Sequence, residues 1–464
     1  MKRAVKLFVE PFDFISYLDW KCVCKFNEHG TLRVRGLISH ENMQVYYQEV
    51  VKIQETWICA KALTETDEEI DLFRGVLTGL DFQTENELCT LTIEAKTGSY
   101  LLDQAHHMRS YQSDTLTYSD VLTACLESEN GKFIMFDRQD ELVDGLLIQY
   151  KETDWTFSKR LAANLGTVIW PDSYTDGRHF YIGLNQKKNE SMQEITTDSF
   201  RLHESAVDTT INENRWKESF SWQIQSRDIY KLGEFVQFQG QRLVVGEVES
   251  SLVGSEISHQ YSLYRPKADV AIQRFFNNAI KGVSLRSTVV YVKRDQVQVQ
   301  IHEDENKELC GVRWFDYATV YSTPDGTGWY CMPEIGDEVR LLFPNVDERN
   351  AYVVSSVHLD AERGRENPDE KSWKNKQQKE ILFTPDRLLL RNNDGLLVEL
   401  SDAEGVRIIS NKAITIQSDD NIEITSENAH VQMYADNHIA LQQQSTSIHM
   451  KDEIRIGGGK IYMN

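Results

Sequence analysis

The chain contains little proline or glycine and no long hydrophobic run. Of its 464 residues, 8 are proline and 25 are glycine, which excludes a collagen-like or low-complexity chain. No stretch reaches the roughly 18 consecutive apolar residues that a transmembrane helix needs. The N-terminus begins with basic residues, but Lys6, Glu10 and Pro11 interrupt the apolar run that follows. We therefore expect neither a signal peptide nor a transmembrane segment.

Cysteine is also scarce, and its pattern does not predict a disulfide framework. The 7 cysteines are an odd number, include no Cys-x-x-Cys spacing and do not cluster near histidine. Cys22 and Cys24 would share one strand face, and we interpret them as buried thiols rather than as a redox pair or half of a metal site. This usage indicates synthesis in the reducing cytoplasm.

The chain has fewer basic than acidic residues. The chain has 50 Lys and Arg against 72 Asp and Glu, for a formal net charge of −22. Because binding to phosphate needs clustered Lys and Arg, we expect no nucleic-acid partner. A hydrophobic content of 40% with 10% aromatic residues indicates globular material, and the length allows about three domains.

The chain does contain an internal repeat near its C-terminus. Between residues 398 and 456, pairs of apolar residues at i and i+2 recur with polar residues between them. The first member of each pair advances by 8, 8, 8, 9, 8, 9 and then 6 residues, which defines an octad-like period. The pairs are Val398 with Leu400, Val406 with Ile408, Ile414 with Ile416, Ile422 with Ile424, Val431 with Met433, Ile439 with Leu441, Ile448 with Met450, and Ile454 with Ile456.

We interpret each octad as one short strand and a turn, with both apolar residues on the same strand face. A triangular β-helix built by one chain needs about 18 residues per coil, so an octad supplies one side. Three consecutive octads would make a single-chain coil, whereas three chains would make a shared prism with the apolar pairs as its core. We favour the shared prism because it also pairs both strand edges with neighbouring chains. An ordinary antiparallel meander with polar turns is the alternative.

Strand and helix signals dominate the region before the repeat. Two alternating segments within residues 73–95 predict a β-hairpin. Thr117 and Asp120 have capping-box spacing and predict one helix. A second helix is predicted between a cap at Thr153 or Asp154 and a terminating glycine, Gly166.

The middle of the chain contains three successive sequence patterns, which predict a helix, a barrel and a linker. A stripe of apolar residues over 268–280 predicts a connecting helix, and about five short strands in the next 75 residues or so fit a small closed barrel such as an OB-fold. Residues 359–380 are rich in both charges and almost devoid of apolar residues, which is typical of a linker. The predicted organisation is a β-rich region at 1–265, a connecting helix at 266–283, an OB-fold barrel at 284–358, a polar linker at 359–380 and a β-helix at 381–464.

Three short segments occur in an informative order. Residues 98–112 carry GSYLL and MRSYQ, and residues 149–155 (QYKETDW) are followed by Arg160. Residues 328–339 (GWYCMPEIGDEV) combine a Gly-Trp pair with a Pro-x-Ile-Gly-x-Glu-Val run. Together with the repeat that follows them, these segments resemble the VgrG-type spike proteins of type VI secretion systems and related contractile phage tails.

The resemblance implies a mainly β, trimeric spike. Its hub region, residues 1–265, would hold two β-barrel-like subdomains with a few inserted helices, followed by the OB-fold barrel and an intertwined trimeric β-helix. The implied partners are two further copies of the chain, tube and baseplate proteins, a PAAR-type tip protein and effector cargo. The implied function is mechanical: assembled in the cytoplasm, the spike caps the inner tube and is expelled through the target envelope when the sheath contracts.

No residue pattern predicts an enzyme, a cofactor or a bound metal. Glu68, Glu69 and Asp71 are neighbouring acids in a polar run, and we interpret them as a solvated loop rather than as a catalytic pair. The alternative function is a trimeric β-helical tail fibre that binds or degrades surface carbohydrate. Such an enzyme needs a carboxylate pair and exposed aromatic residues, and Tyr434 is the only aromatic residue in the octads. We therefore favour a structural spike.

Overall fold

The structure, a computed structural model, divides the chain into two compact units, Met1–His358 and Leu359–Asn464. Among the helices that it describes, none is long and apolar enough to cross a membrane. The described residues are 3–49, 55–186, 194–207, 217–254, 256–266, 274–309, 311–357, 367–392, 394–450 and 454–457.

Six strands and one helix open the largest sheet of the first unit. Buried and exposed residues alternate along the strands. In the third strand, Leu32 and Val34 are buried while Arg33 between them is exposed. The predicted hairpin within residues 73–95 is confirmed, since Leu80 lies opposite Ile93 in a continuous antiparallel ladder. The elements are β1 (Ala4–Glu10), β2 (Ser16–Lys25), β3 (Thr31–Ile38), α1 (His40–Glu49), β4 (Trp57–Thr64), β5 (Glu69–Glu85) and β6 (Leu88–Lys96).

Two capped helices follow, packed on a second small core. The Thr117 side chain accepts a hydrogen bond from the backbone of Asp120, whose carboxylate in turn accepts one from the backbone of Thr117. Thr153 caps the next helix, and Gly166 beyond its end has a φ of 63°. Both predicted helices are therefore confirmed. The elements are β7 (His107–Tyr111), α2 (Tyr118–Leu126), β8 (Lys132–Met135), β9 (Leu147–Glu152), α3 (Asp154–Asn164), β10 (Ile169–Pro171) and β11 (His179–Ile182).

Five further strands complete the large sheet. They are β12 (Ser199–Val207), β13 (Lys217–Ser226), β14 (Phe235–Phe238), β15 (Gln241–Val253) and β16 (Glu256–Tyr264). Strand β15 pairs with β2, so both groups belong to one 11-stranded sheet. Two apolar cores lie against this sheet: one contains Trp20 and Phe73, and the other contains Leu243 and Tyr261.

A small five-stranded barrel ends the first unit. Its strands are β17 (Ser284–Lys293), β18 (Gln296–Ile301), β19 (Phe315–Asp316), β20 (Glu338–Leu342) and β21 (Tyr352–Ser356). They pair in the order β19-β18-β17-β20-β21, and a bridge between Tyr317 and Val353 joins the two ends of this order. The core contains Val289, Val299 and Leu341. The strands predicted for the OB-fold region are confirmed.

The described part of the predicted connecting helix is not an α-helix. Residues 267–273 lie outside the described residues, and within 274–283 there is a single 3₁₀ turn, Asn278–Ile280. The Asn277 side chain caps this turn and also donates a hydrogen bond to the Tyr150 carbonyl at 2.7 Å. This segment is thereby tied to β9 as an extended connection.

The second unit consists of two antiparallel sheets. The first contains β22 (Lys371–Lys374), β23 (Glu380–Thr384), β24 (Arg387–Arg391), β25 (Leu397–Ser401) and β26 (Gly405–Ile409). The second contains β27 (Ile439–Gln443), β28 (Thr446–Met450) and β29 (Ile454–Gly457). Part of the predicted polar linker is therefore wrong, because β22 pairs with β23 and places Trp373 opposite Ile381.

The strands of each sheet pair with their neighbours along the same chain. Residues 385–386 join β23 to β24, and residues 402–404 join β25 to β26. Turns this short connect antiparallel strands, and Gly405 has the positive φ, 81°, that suits the end of such a turn. The prediction that both strand edges pair with neighbouring chains is wrong for β23 to β25. The antiparallel meander, the alternative, is present here.

The buried histidine of the large sheet makes the stability of the fold dependent on pH. His259 is almost completely buried, with Nδ1 2.7 Å from the Ser250 hydroxyl, and burial lowers its pKa to about 4. The unfolded chain binds a proton below about pH 6.5 and the folded chain does not, so stability falls as pH drops from 6.5 towards 4. We expect His259 to account for a loss of about 3 kcal/mol over this range.

Urea unfolding at pH 7 and pH 4 measures this effect. The His259→Gln variant should show a smaller loss of unfolding free energy between the two pH values than the unmodified chain. A His203→Gln variant, altered at an exposed histidine, should match the unmodified chain. Equal losses in all three proteins would contradict the assignment.

Candidate functional site

One face of the sheet formed by β22 to β26 carries two rows of apolar side chains, which we call the apolar rows. The strand register aligns the members of each row across the sheet, and spacing by two residues places both rows on the same face. The first row is Trp373, Ile381, Leu390, Val398 and Ile408, and the second is Phe383, Leu388, Leu400 and Val406.

Much of this face is open to water in the single chain. Trp373 is 60% exposed, Val406 68% and Ile408 60%. Members of the first row line an open cleft of about 680 Å³. Apolar surface gains roughly 25 cal/mol per Å² on leaving water, and contiguous exposed apolar faces are typical of interaction sites.

The opposite face of the same sheet is closed by charged side chains. Glu399 is 3% exposed and lies in an aligned row with Leu382 and Leu389. Its carboxylate oxygens accept hydrogen bonds from Arg387 at 3.0 Å and Arg407 at 3.3 Å. The two faces of the sheet therefore differ. Arginines cover Glu399 on one face, where Ile409 is 42% exposed, and the apolar rows on the other face have no comparable cover among the described residues of this unit.

The sixteen predicted core residues fall into three groups in the structure. The first group lies in β25 and β26 and belongs to the apolar rows, so these residues share one sheet face as the octad pattern predicts. Its members are Val398, Leu400, Val406 and Ile408.

The second group lies in no strand and forms no core within the single chain. Its side chains are exposed, from 49% for Val431 to 72% for Ile416. The predicted strands are wrong for this part of the single chain, because residues 410–438 form no sheet with a face that could be buried. A shared core between chains stays a prediction here. The members of the group are Ile414, Ile416, Ile422, Ile424, Val431 and Met433.

The third group lies in the second sheet of this unit. The register aligns Ile439, Met450 and Ile454 in one row, and it aligns Leu441, Ile448 and Ile456 in a parallel row on the same face. Leu441 is nevertheless 52% exposed, so the single chain does not bury it. The physical reason is that none of the described elements packs a second layer over this small sheet. Burial of the two rows between chains stays a prediction.

Five members of the apolar rows were missed by the sequence prediction. Four of them form two pairs at i and i+2, Ile381 with Phe383 and Leu388 with Leu390, which are the same signal as the octads. Their first members stand 7 and 10 residues before the next pair, so they do not match the period of 8. The fifth, Trp373, has no apolar partner at i+2 or i−2.

A second site lies within the first unit, where a buried arginine links the helical region to the barrel. Arg160 of α3 is 2% exposed. It donates hydrogen bonds to both carboxylate oxygens of Glu152 at 3.0 and 2.7 Å and to Glu348 at 2.7 Å. Burial opposes the charge of Arg160, but Glu348 and Glu152 outweigh it and raise its pKa. Because Glu348 follows β20, this cluster joins the two parts of the unit.

Neighbouring polar contacts strengthen the same junction. Arg109 of β7 donates hydrogen bonds to Asp154 at 2.7 Å and to Gln149 at 3.1 Å. The next residue, Ser110, donates from its backbone to Asp304 of the barrel at 3.0 Å. The sequence segments 108–112 and 149–155 therefore meet in space, and both contact the barrel or the groups that hold it.

Two sets of side chains in the first unit contain residue types that also occur in catalytic sites. Glu68 and Glu69 are exposed, and Asp71 accepts a hydrogen bond from Arg74 at 3.4 Å. The Ser99 hydroxyl lies 2.8 Å from His29 Nδ1, but Ser99 is fully buried. Among the described residues, no group of three or more His, Cys, Asp or Glu could hold a metal ion.

Comparison with known proteins matches this architecture. Residues 288–358 match the family described as the type VI secretion system and phage-baseplate injector OB domain. The fold of about three quarters of the chain resembles the E. coli c3393 protein, described as a type VI secretion component similar in structure to the T4 bacteriophage tail proteins gp27 and gp5. The two are 14% identical over 76% of this chain and 100% of that one, with a TM-score of 0.51. No curated protein sequence matches the chain.

The fold also resembles a chain of the Francisella PdpA-VgrG complex. For the lidded form the identity is 7% over 85% of this chain and 76% of that one, with a TM-score of 0.57. For the lidless form it is 7% over 84% and 93%, with a TM-score of 0.56. The chain thus has a mainly β fold, and its residues 288–358 match an injector OB domain. Within this class, the predicted resemblance to VgrG-type spike proteins is confirmed.

Removing the buried arginine should destabilise the first unit strongly. Arg160→Met leaves Glu152 and Glu348 buried without a cation, which we expect to cost about 3–5 kcal/mol of unfolding free energy. Urea unfolding measures the loss. Adding Glu152→Gln and Glu348→Gln to the variant should recover part of it, because the uncompensated charges are then absent.

An exposed ion pair provides the control for this prediction. Arg227 and Glu256 are 2.9 Å apart with both side chains more than half exposed, so Arg227→Met should cost less than about 1 kcal/mol. Equal losses in Arg160→Met and Arg227→Met would show that the buried cluster does not hold the junction.

Proposed function

We propose that this chain is the structural central spike of a contractile injection machine. It forms a homotrimer that caps the inner tube and punctures the target envelope mechanically when the sheath contracts. The observation that carries the proposal is the pair of exposed apolar rows on a chain whose fold resembles VgrG-type spike proteins. The proposed role is mechanical, and no catalytic residue takes part in it.

The apolar rows support the trimer. Three copies of the sheet, each with its rows turned inwards, enclose the apolar side chains in a three-sided prism and leave the arginine-covered faces in water. Burial in this way removes the exposed apolar surface of each chain at once. The apolar pairs within residues 414–433, which lie in no strand of the single chain, gain strand partners from the other copies.

The buried ion pairs support a mechanical role. Arg160, Glu152 and Glu348 fix the barrel against α3 and β9 through short hydrogen bonds in a site closed to water. Ion pairs at such a depth are screened little by salt. In the spike this junction holds the barrel at a constant angle to the hub while force passes between them.

The proposed partners follow from the same role. Tube and baseplate proteins contact the hub, a PAAR-type protein closes the tip, and effector cargo travels with the spike. One relative in this fold class was solved in a complex named for PdpA and VgrG, which supports a spike that carries partner proteins. We propose that assembly takes place in the cytoplasm before the spike is expelled.

Solution mass tests the trimer. Light scattering on the full chain should give three times the chain mass of 53.7 kDa. Ile408→Lys should lower the mass towards that of a monomer, because it places a charge inside the proposed apolar core. Arg407→Gln, a change at the adjacent residue on the opposite face, should leave the trimer intact.

A chain that ends before Glu380 separates the two possible sites of assembly. If the apolar rows hold the copies together, this shortened chain should be monomeric. A trimer that survives both the truncation and Ile408→Lys would place assembly in the first unit. A monomeric full chain would contradict the proposed trimer in solution.

A further inference from the structure

We infer that neighbouring copies of the sheet β22 to β26 join edge to edge around the axis, the basic rim of one copy meeting the acidic rim of the next. This inference rests on the proposed trimer and specifies its interface. It concerns the two lateral rims of the sheet, where strands end and turns begin, rather than the apolar rows.

The two rims follow from the order of the turns. Strand β22 ends, and β23 begins, on the side that also holds the turn between β24 and β25. The turns between β23 and β24 and between β25 and β26 lie on the opposite side, because successive strands are antiparallel. Each copy of the sheet therefore presents two different rims.

The charges of the two rims are opposite. The basic rim has four cations and two anions, for a net charge of +2, and the acidic rim has three anions and two cations, for a net charge of −1. The charged residues of the basic rim are Lys374, Lys376, Lys379, Glu380, Arg391 and Asp394, and those of the acidic rim are Lys371, Asp386, Arg387, Asp402 and Glu404.

Ion pairs within each rim leave this difference in place. Glu380 pairs with Arg391 at 2.6 Å, and Asp386 pairs with Arg387 at 2.8 Å. Each pair is neutral, so the net charges of +2 and −1 come from the other charged residues of the two rims. One of these, the exposed Glu404, also lies 3.8 Å from Arg407 of β26. Against a chain net charge of −22, a local cluster of lysines is a specific feature of the basic rim.

The opposite charges select one kind of symmetry. In a two-fold pairing of sheets edge to edge, each rim meets its own copy, and like charges oppose each other. In a cyclic arrangement the interface is head to tail, so the basic rim of each copy meets the acidic rim of its neighbour. Three copies close this arrangement with the apolar rows facing the axis. Charge complementarity of this kind fixes register and direction.

Charge reversal tests the interface on the full chain. Lys376→Glu with Lys379→Glu makes both rims acidic, and Asp402→Lys with Glu404→Lys makes both basic. Each double variant should raise the chain concentration needed for half-maximal trimer by about tenfold or more at low salt. All four changes in one chain should restore trimer formation, because the rims are again opposite.

One control variant and one direct cross-linking test accompany the charge reversals. Lys132→Glu with Lys281→Glu makes the same change in net charge at exposed sites of the first unit and should leave the trimer unchanged. Carbodiimide, which couples amines to carboxylates, should join Lys379 to Glu404 of a different copy. A mixture of isotopically labelled and unlabelled chains identifies links between copies by mass spectrometry.

The outcomes separate this inference from the proposed function. If the unmodified chain is trimeric but the double reversals have no effect, or the fourfold variant does not recover, the rim interface is wrong while the trimer stands. Links between Lys379 and Glu404 confined to single chains would also overturn it. If the unmodified chain is monomeric, the proposed trimer fails first.

Discussion

An antiparallel sheet has two faces, and the second unit of this chain covers one of them. Arg387 and Arg407 lie over the face that holds Glu399, whereas the apolar rows on the other face stay exposed from Trp373 to Ile408. Covering that face is the constraint on which the proposed spike depends. More copies of the same sheet satisfy it without any new sequence, since the apolar face of each copy covers the apolar faces of the others.

The first unit buries its apolar side chains within one chain. Its large sheet and barrel bury Trp20, Phe73 and Leu341 in apolar cores. The junction of the barrel with the helical region combines buried charges with apolar contacts of Leu146 and Ile148. A buried cluster such as Arg160 with its two glutamates adds little net stability compared with apolar packing, but it is costly to break in part. It therefore favours one fixed geometry, which suits a part that transmits force.

Several local signals predicted the structure correctly, whereas long-range contacts were not predicted. Among the local signals, the apolar stripe over 268–280 is an exception, because its described part forms no α-helix. The capping box at Thr117 and the helix between Thr153 and Gly166 depend on residues within a turn or two of each other. Glu348 lies 188 residues from Arg160, and no local sequence pattern predicts that ion pair. Helix α1 was missed because its few apolar residues, Met43 and Tyr46 among them, pack only partly on the core. The octads identified the face that carries the apolar residues, but the direction of strand pairing depends on turn lengths that periodicity does not report.

A three-dimensional reconstruction of the purified full chain by cryo-electron microscopy tests the central claim most directly. We predict three copies around one axis, with the apolar rows turned inwards and residues 414–433 forming strands shared between copies. A single copy whose apolar rows are covered by its own residues 410–438 would contradict it.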